Sequence, residues 1–120
     1  MRENDVPRRN VVLTAQAGRD FDEIIEWTAE KFGRQQAETY ERLILATLRR
    51  LEGGYTHVAS SRVAGHAGVR RMPVGDGRNR GPHFLYFQDL TTAARQSMKV
   101  LRILHAAMDP MLHLPADDPT

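Results

Sequence analysis

The chain contains no cysteine. Disulfide staples and thiolate metal sites are therefore excluded, and a reducing cytoplasm is the expected setting. Its apolar runs are only a handful of residues long, far short of the ~20 that a membrane-spanning helix needs. The opening MRENDVPRRN is charged and no apolar segment follows it, so no secretory leader is expected. No G-x-S-x-G elbow occurs, and none of the five histidines, His57, His66, His83, His105 and His113, sits four residues from another. Neither a serine-hydrolase site, a metal nor a cofactor is expected on this pattern. Aromatic residues make up only 7% of the chain, with a single tryptophan, Trp27.

What is present suits one compact domain, with 120 residues of which 41% are hydrophobic, enough for a single core. The net charge of +2 is unevenly placed. Arg19 to Glu52 holds six basic and eight acidic residues, whereas Val69 to His105 holds seven basic and two acidic. The second half thus has the potential to meet a negative partner.

Residues 1–9 read as a flexible polar arm and 113–120 as a tail, leaving 10–112 as the domain. Asn10 to Ala15 (NVVLTA) reads as a short strand. The period then changes, with Phe21, Ile24, Ile25, Thr28 and Phe32 falling on one helical face. Asp20, Asp22 and Glu23 are expected in that helix's first turn, where carboxylates oppose the positive end of its dipole. Gly33 stops the helix and a second begins at once, with the stripe Ala37, Tyr40, Ile44, Leu48 and Leu51 flanked by Leu43 and Leu45. Arg49 and Arg50 fall in its last turn and Gly53-Gly54 ends it. So short a break predicts an antiparallel helical hairpin.

An irregular stretch, 55–68, leads to three β-runs. Val69–Val74 carries Pro73, which marks a strand end or an edge. His83–Asp89 is apolar on both faces and so central, and Met98–His105 is the third. The connections 75–82 and 90–96 suit hairpins but not crossover helices. GDGRNRG, from Gly75 to Gly81, lacks the following helix of a phosphate-binding loop and reads as a hairpin loop. The fold class is therefore α+β: an N-terminal strand, a helical hairpin, and a three-stranded antiparallel meander.

This order of motifs resembles the ParE toxins of the RelE/ParE superfamily, the plasmid-stabilisation toxins. The matching residues are Ala17, Asp20, Phe21 and Ile24 in the first helix, and Gly33, Ala37 and Tyr40 at the start of the second. Arg70-Arg-Met-Pro-Val-Gly75, Val100-Leu-Arg-Ile-Leu-His105 and Asp109-Pro110 complete the pattern. The resemblance spans residues 10–112. It implies a toxin of a type II toxin–antitoxin pair that is not itself an enzyme, is neutralised by a ParD-like antitoxin and poisons DNA gyrase. It also implies that DNA is met only through the antitoxin.

The related RelE branch is the alternative: a ribosome-dependent mRNA endoribonuclease. Its members place basic or histidine side chains just past the last strand, where a base, a cation and an acid would serve attack by the 2′-hydroxyl. Here that segment is Ala106-Ala107-Met108-Asp109, without base, cation or tyrosine. His105 lies one residue earlier, and strand alternation turns it the other way. It reads as a strand-ending residue tied to the backbone.

Alternation along the last strand also suggests an antitoxin surface. It groups Val100, Arg102 and Leu104 on one side, and Lys99, Leu101, Ile103 and His105 on the other. The arginine-bearing set is expected on the face away from the hairpin, with Arg102 paired to an antitoxin carboxylate and Trp27 as a further contact. Arg70, Arg71, His105 and Met108 are the candidates for contact with the target.

Overall fold

The computed structural model describes residues 10–53 and 60–114. The expected arm at 1–9, Gly54, His57 and the last part of the expected tail lie outside the described residues. The elements are β1 (Asn10–Leu13), α1 (Ala15–Phe32), α2 (Arg34–Glu52), β2 (Ser61–Arg62), β3 (Val69–Pro73), β4 (His83–Asp89), β5 (Ser97–His105) and a single-turn α3 (Pro110–His113). They form one five-stranded sheet in the order β1-β5-β4-β3-β2. β4 is central and Pro73 ends β3, as expected. The meander pairs antiparallel, whereas β1 runs parallel to β5, from Asn10 opposite Ser97 to Leu13 opposite Val100.

Thr14 turns the chain from β1 into α1. Its amide donates to the Val100 carbonyl at 3.0 Å and its hydroxyl to the Leu101 carbonyl at 2.9 Å. The same hydroxyl oxygen accepts from the Ala17 amide at 3.0 Å, which makes Thr14 the N-cap. The helix therefore starts at Ala15, earlier than the sequence suggested, and its first turn contains no acid. This corrects the expected dipole role of Asp20, Asp22 and Glu23: a threonine at a strand end is equally a helix cap, and here it is both.

Gly33 ends α1 and caps α2 at φ 93°, a backbone state that favours glycine. The hairpin packs on one sheet face, where Ala17, Ile44 and Leu51 meet Met72, Val74, Leu85, Phe87, Met98, Val100 and Ile103. Phe21, Ile24, Ile25, Tyr40, Leu43 and Leu48 close over them. Phe32 departs from the expected stripe, with 65% of its surface exposed.

The other face of the sheet is covered as well. Val69, Tyr86, Leu101, Leu104 and Leu114 form a second core, with Val63 and Phe84 against it. The covering comes from the segment before β3 and from the end of the chain, so packing runs on through Leu114.

The expected surface of Val100, Arg102 and Leu104 does not exist as an open face. Tyr86 pairs with Arg102 but Phe87 pairs with Val100, so Leu101 is the extra residue of a β-bulge. A bulge places two residues opposite one and shifts the alternation beyond it. Val100 and Ile103 consequently share the hairpin core, while Leu101 and Leu104 share the second core. Val100 is fully buried and Leu104 is 1% exposed.

Arg102 pairs with Asp20 of its own chain, not with an open surface. Its Nε donates to Asp20 Oδ2 at 2.8 Å and its Nη2 to Oδ1 at 3.0 Å. Asp20 Oδ2 also accepts from the Ile103 amide at 3.0 Å, and Oδ1 accepts from Gln16 Nε2 at 3.1 Å. β1 ends opposite Val100, so beyond it the carboxylate satisfies an amide on the exposed edge of β5. Arg102 Nη1 donates to the His113 carbonyl at 2.9 Å, which ties α3 to the same knot.

Removing one member of such a buried pair strands the other. Asp20→Ala is expected to cost about 3–5 kcal/mol of unfolding free energy in urea titration. The double variant Asp20→Ala/Arg102→Met should cost less than Asp20→Ala alone. Additive costs would show that the pair is not coupled.

Candidate functional site

The groove between α1 and the His83/His105 end of the sheet collects the chemistry-bearing side chains. It consists of two adjoining hollows of about 420 and 370 Å³ that share Trp27, Phe32, Pro82 and His83. The first is also lined by Arg102, Leu104, His105 and Met108, and the second by Gln36 and Tyr40. Trp27 is 50% exposed although it sits on an amphipathic helix. Its ring meets Phe32 edge to face, with centroids 5.8 Å apart. Two large, rigid apolar rings held at a groove mouth are characteristic of recognition anchors.

The sheet register builds the polar floor. β4 begins with His83 and β5 ends with His105, and the antiparallel pairing sets them opposite each other, ring centroids 5.3 Å apart. His83 Nδ1 lies 2.7 Å from the Tyr40 hydroxyl. Burial, and then the neighbouring His105, push the His83 pKa down to about 4, so it is neutral at physiological pH and its Nδ1 can accept the phenol proton. Burial pushes the Tyr40 phenol up to about 12, against the opposing effect of the His83 hydrogen bond. Gly81 leaves room for Tyr40, because a Cβ there would collide with the phenol ring and oxygen.

His105 Nδ1 accepts from the Ala107 amide at 3.0 Å, and the His105 carbonyl accepts from Met108 at 2.9 Å. The strand-ending histidine is thus tied to the backbone, as the sequence suggested.

Of the eight candidate site residues, the groove gathers Trp27, Arg102, Leu104, His105 and Met108. Val100 is in the core. Arg70 is held by Ser60, its Nε donating to Oγ at 2.9 Å and its Nη2 to the carbonyl at 3.2 Å. Arg71 lies on the other sheet face, 4.6 Å from the centroid of the Phe84 ring. The target candidates therefore do not form one surface. Sequence reasoning missed Phe32, Tyr40, Pro82 and His83 as groove residues. For His83 the signal was available, since two strands meeting in a hairpin bring the first residue of one beside the last of the other. Among the described residues, no group of three potential ligands could hold a metal ion, and no helix is long and apolar enough to cross a membrane.

Fold and groove together define a small α+β domain with an apolar recess at one end of its sheet. The family described as ParE toxin of type II toxin-antitoxin system, parDE, matches residues 11–110, and the chain belongs to that family. Among solved structures, a chain from the chromosomal ParDE TA system of P. aeruginosa superposes with a TM-score of 0.64 at 21% identity, covering 82% of this chain and 96% of that one. That likeness establishes the fold. No curated protein matches in sequence.

The histidine pair makes the site testable by pH. Between about pH 4, where folded His83 titrates, and the ordinary 6.5, the unfolded chain binds the proton more readily. This contribution to stability is therefore complete above 6.5 and is lost as pH falls through that window. Proton NMR should show one imidazole still neutral near pH 5, and His83→Gln should remove that signal and flatten the melting temperature across the window. A His83 ring titrating near 6.5 would contradict the buried Tyr40–His83 contact.

Proposed function

We propose that this toxin acts in the cytoplasm by binding, that a ParD-like antitoxin silences it by filling the Trp27–Phe32 groove, and that DNA gyrase is its target. The observation that carries the antitoxin site is the groove itself, where two exposed aromatic rings overhang an apolar recess next to His105 and Met108. A single surface then serves both partners, and the antitoxin neutralises by occlusion. Arg102 remains at the groove wall but its charge is met by Asp20, so apolar anchors rather than Arg102 supply the affinity. The printed description of the P. aeruginosa neighbour, a ParDE system, supports a partner of the ParD kind. The choice of gyrase rests on the family resemblance alone.

Action by binding is supported by the chemistry of the groove. His105 commits Nδ1 to a backbone amide, His83 is a neutral and weakly basic imidazole near neutrality, and the Tyr40 phenol titrates far above it. General acid–base catalysis works best with groups poised near the working pH.

Expression of the chain alone is expected to arrest bacterial growth, and co-expression of the antitoxin to relieve it. His105→Ala should leave arrest intact, whereas loss of a catalytic group would remove ~10²–10⁴-fold in rate. Trp27→Ala should weaken antitoxin binding by about 2–4 kcal/mol in calorimetry without unfolding the protein. Purified protein should inhibit gyrase supercoiling and leave ribosome-bound mRNA intact. Cleavage of the mRNA, together with a folded but harmless His105→Ala protein, would establish the nuclease alternative.

A further inference from the structure

The sheet face turned away from the hairpin carries a second feature, independent of the groove. Arg71 from β3 and Arg80 from the β3–β4 loop both lie over the ring of Phe84, at 4.6 and 5.8 Å from its centroid. They line a cleft of about 380 Å³ with Ser60, Ser61 and the Gly75–Gly77 turn. Stacking on an aromatic ring fixes a guanidinium plane while leaving its N–H donors free for a ligand. Among the described residues neither arginine has a carboxylate partner. Among the described residues the one acid lining the cleft, Asp76, is paired with Arg50 at 3.2 Å.

The cleft wall is also held from behind. Thr47 Oγ1 accepts from the Gly75 amide at 2.9 Å, and Arg50 Nη2 donates to the Gly75 carbonyl at 2.7 Å. Gly75 has φ 87°, and a Cβ there would strike the Asn79 backbone, so the turn closes tightly only with glycine. Arg78 is exposed in the same loop. A pair of cations held over one ring, with a third in the same loop, fits a chain of phosphates better than an isolated one.

We propose that Arg71 and Arg80 form a contact for the phosphodiester backbone of nucleic acid, so that the toxin touches DNA directly as well as through its antitoxin. Contacts of this kind position a protein without reading sequence. Binding is therefore independent of base sequence and weakens steeply with salt. Because the cleft shares no lining residue with the groove, the outcome does not depend on which protein target or antitoxin the groove accepts.

The test is fluorescence anisotropy of the full chain with a short labelled DNA duplex of arbitrary sequence across a salt series. Wild type should bind with a Kd in the ~10⁻⁴–10⁻⁶ M range near physiological salt, and more tightly at low salt. Arg71→Ala/Arg80→Ala should lower the slope of log K against log salt by about two, one for each phosphate no longer neutralised. Arg34→Ala/Arg42→Ala, an equal reduction of charge at exposed positions on α2, should leave it nearly unchanged. If the alanine pair at the cleft fails to fold by circular dichroism, Arg71→Lys/Arg80→Lys should keep the slope and weaken binding through loss of the stacked forks. Equal binding by wild type and the folded double variant would overturn the proposal, as would a lysine pair that binds as tightly as wild type. Calorimetry with pyrophosphate is the remaining arm: tight pyrophosphate binding without duplex binding would overturn it in favour of a free phosphate ligand.

Discussion

A single carboxylate organises the region where α1, the sheet and α3 meet. Asp20 receives two N–H groups from Arg102 and the amide of Ile103, while Arg102 reaches the His113 carbonyl. Each of these groups would otherwise be left poorly paired at a partly buried sheet edge. The pair explains why β5 tolerates an arginine between buried aliphatic residues. It also explains the bulge at Leu101, since the extra residue lets Arg102 turn to the edge while Val100 and Ile103 both stay in the hairpin core. Together with the apolar face of α1, this contact holds the helix over β5 beside the groove beneath Trp27.

The two faces of the sheet are used differently. On the hairpin side, the exposed rings of Trp27 and Phe32 leave an apolar recess at the end where His83 and His105 pair. On the other side, the chain covers its own sheet with Leu114 and Val63, and leaves a stacked arginine pair at one margin. Apolar burial suits a protein partner, whereas guanidinium groups that have no carboxylate partner among the described residues suit phosphate. A domain of this size can therefore separate two kinds of contact without a second domain.

The groove histidines also show how environment separates identical side chains. His83 is buried against Tyr40 and kept neutral, while His105, opposite it, is exposed and bound to the backbone. Their adjacency is a consequence of register, and their different roles follow from solvation and from which ring nitrogen is already occupied.

Local pattern determined much of this protein. The helical stripes, the stop at Gly33, the central character of His83–Asp89 and the hairpin loop after β3 were all legible because period, glycine and strand hydropathy act over a few residues. The ordered motifs carried the family for the same reason. The remainder was decided in three dimensions. No local signal tells whether Thr14 ends a strand or caps a helix, because its hydroxyl does both only once β5 lies beside it. Alternation mis-assigned Val100 and Leu101 because a bulge is a tertiary event, bound up with an ion pair between residues far apart in sequence. Leu104 lies on the expected face and is buried there by the second core. Arg102 was legible as a cation needing a partner, but its partner, Asp20, is identified only when folding brings the helix to the strand edge.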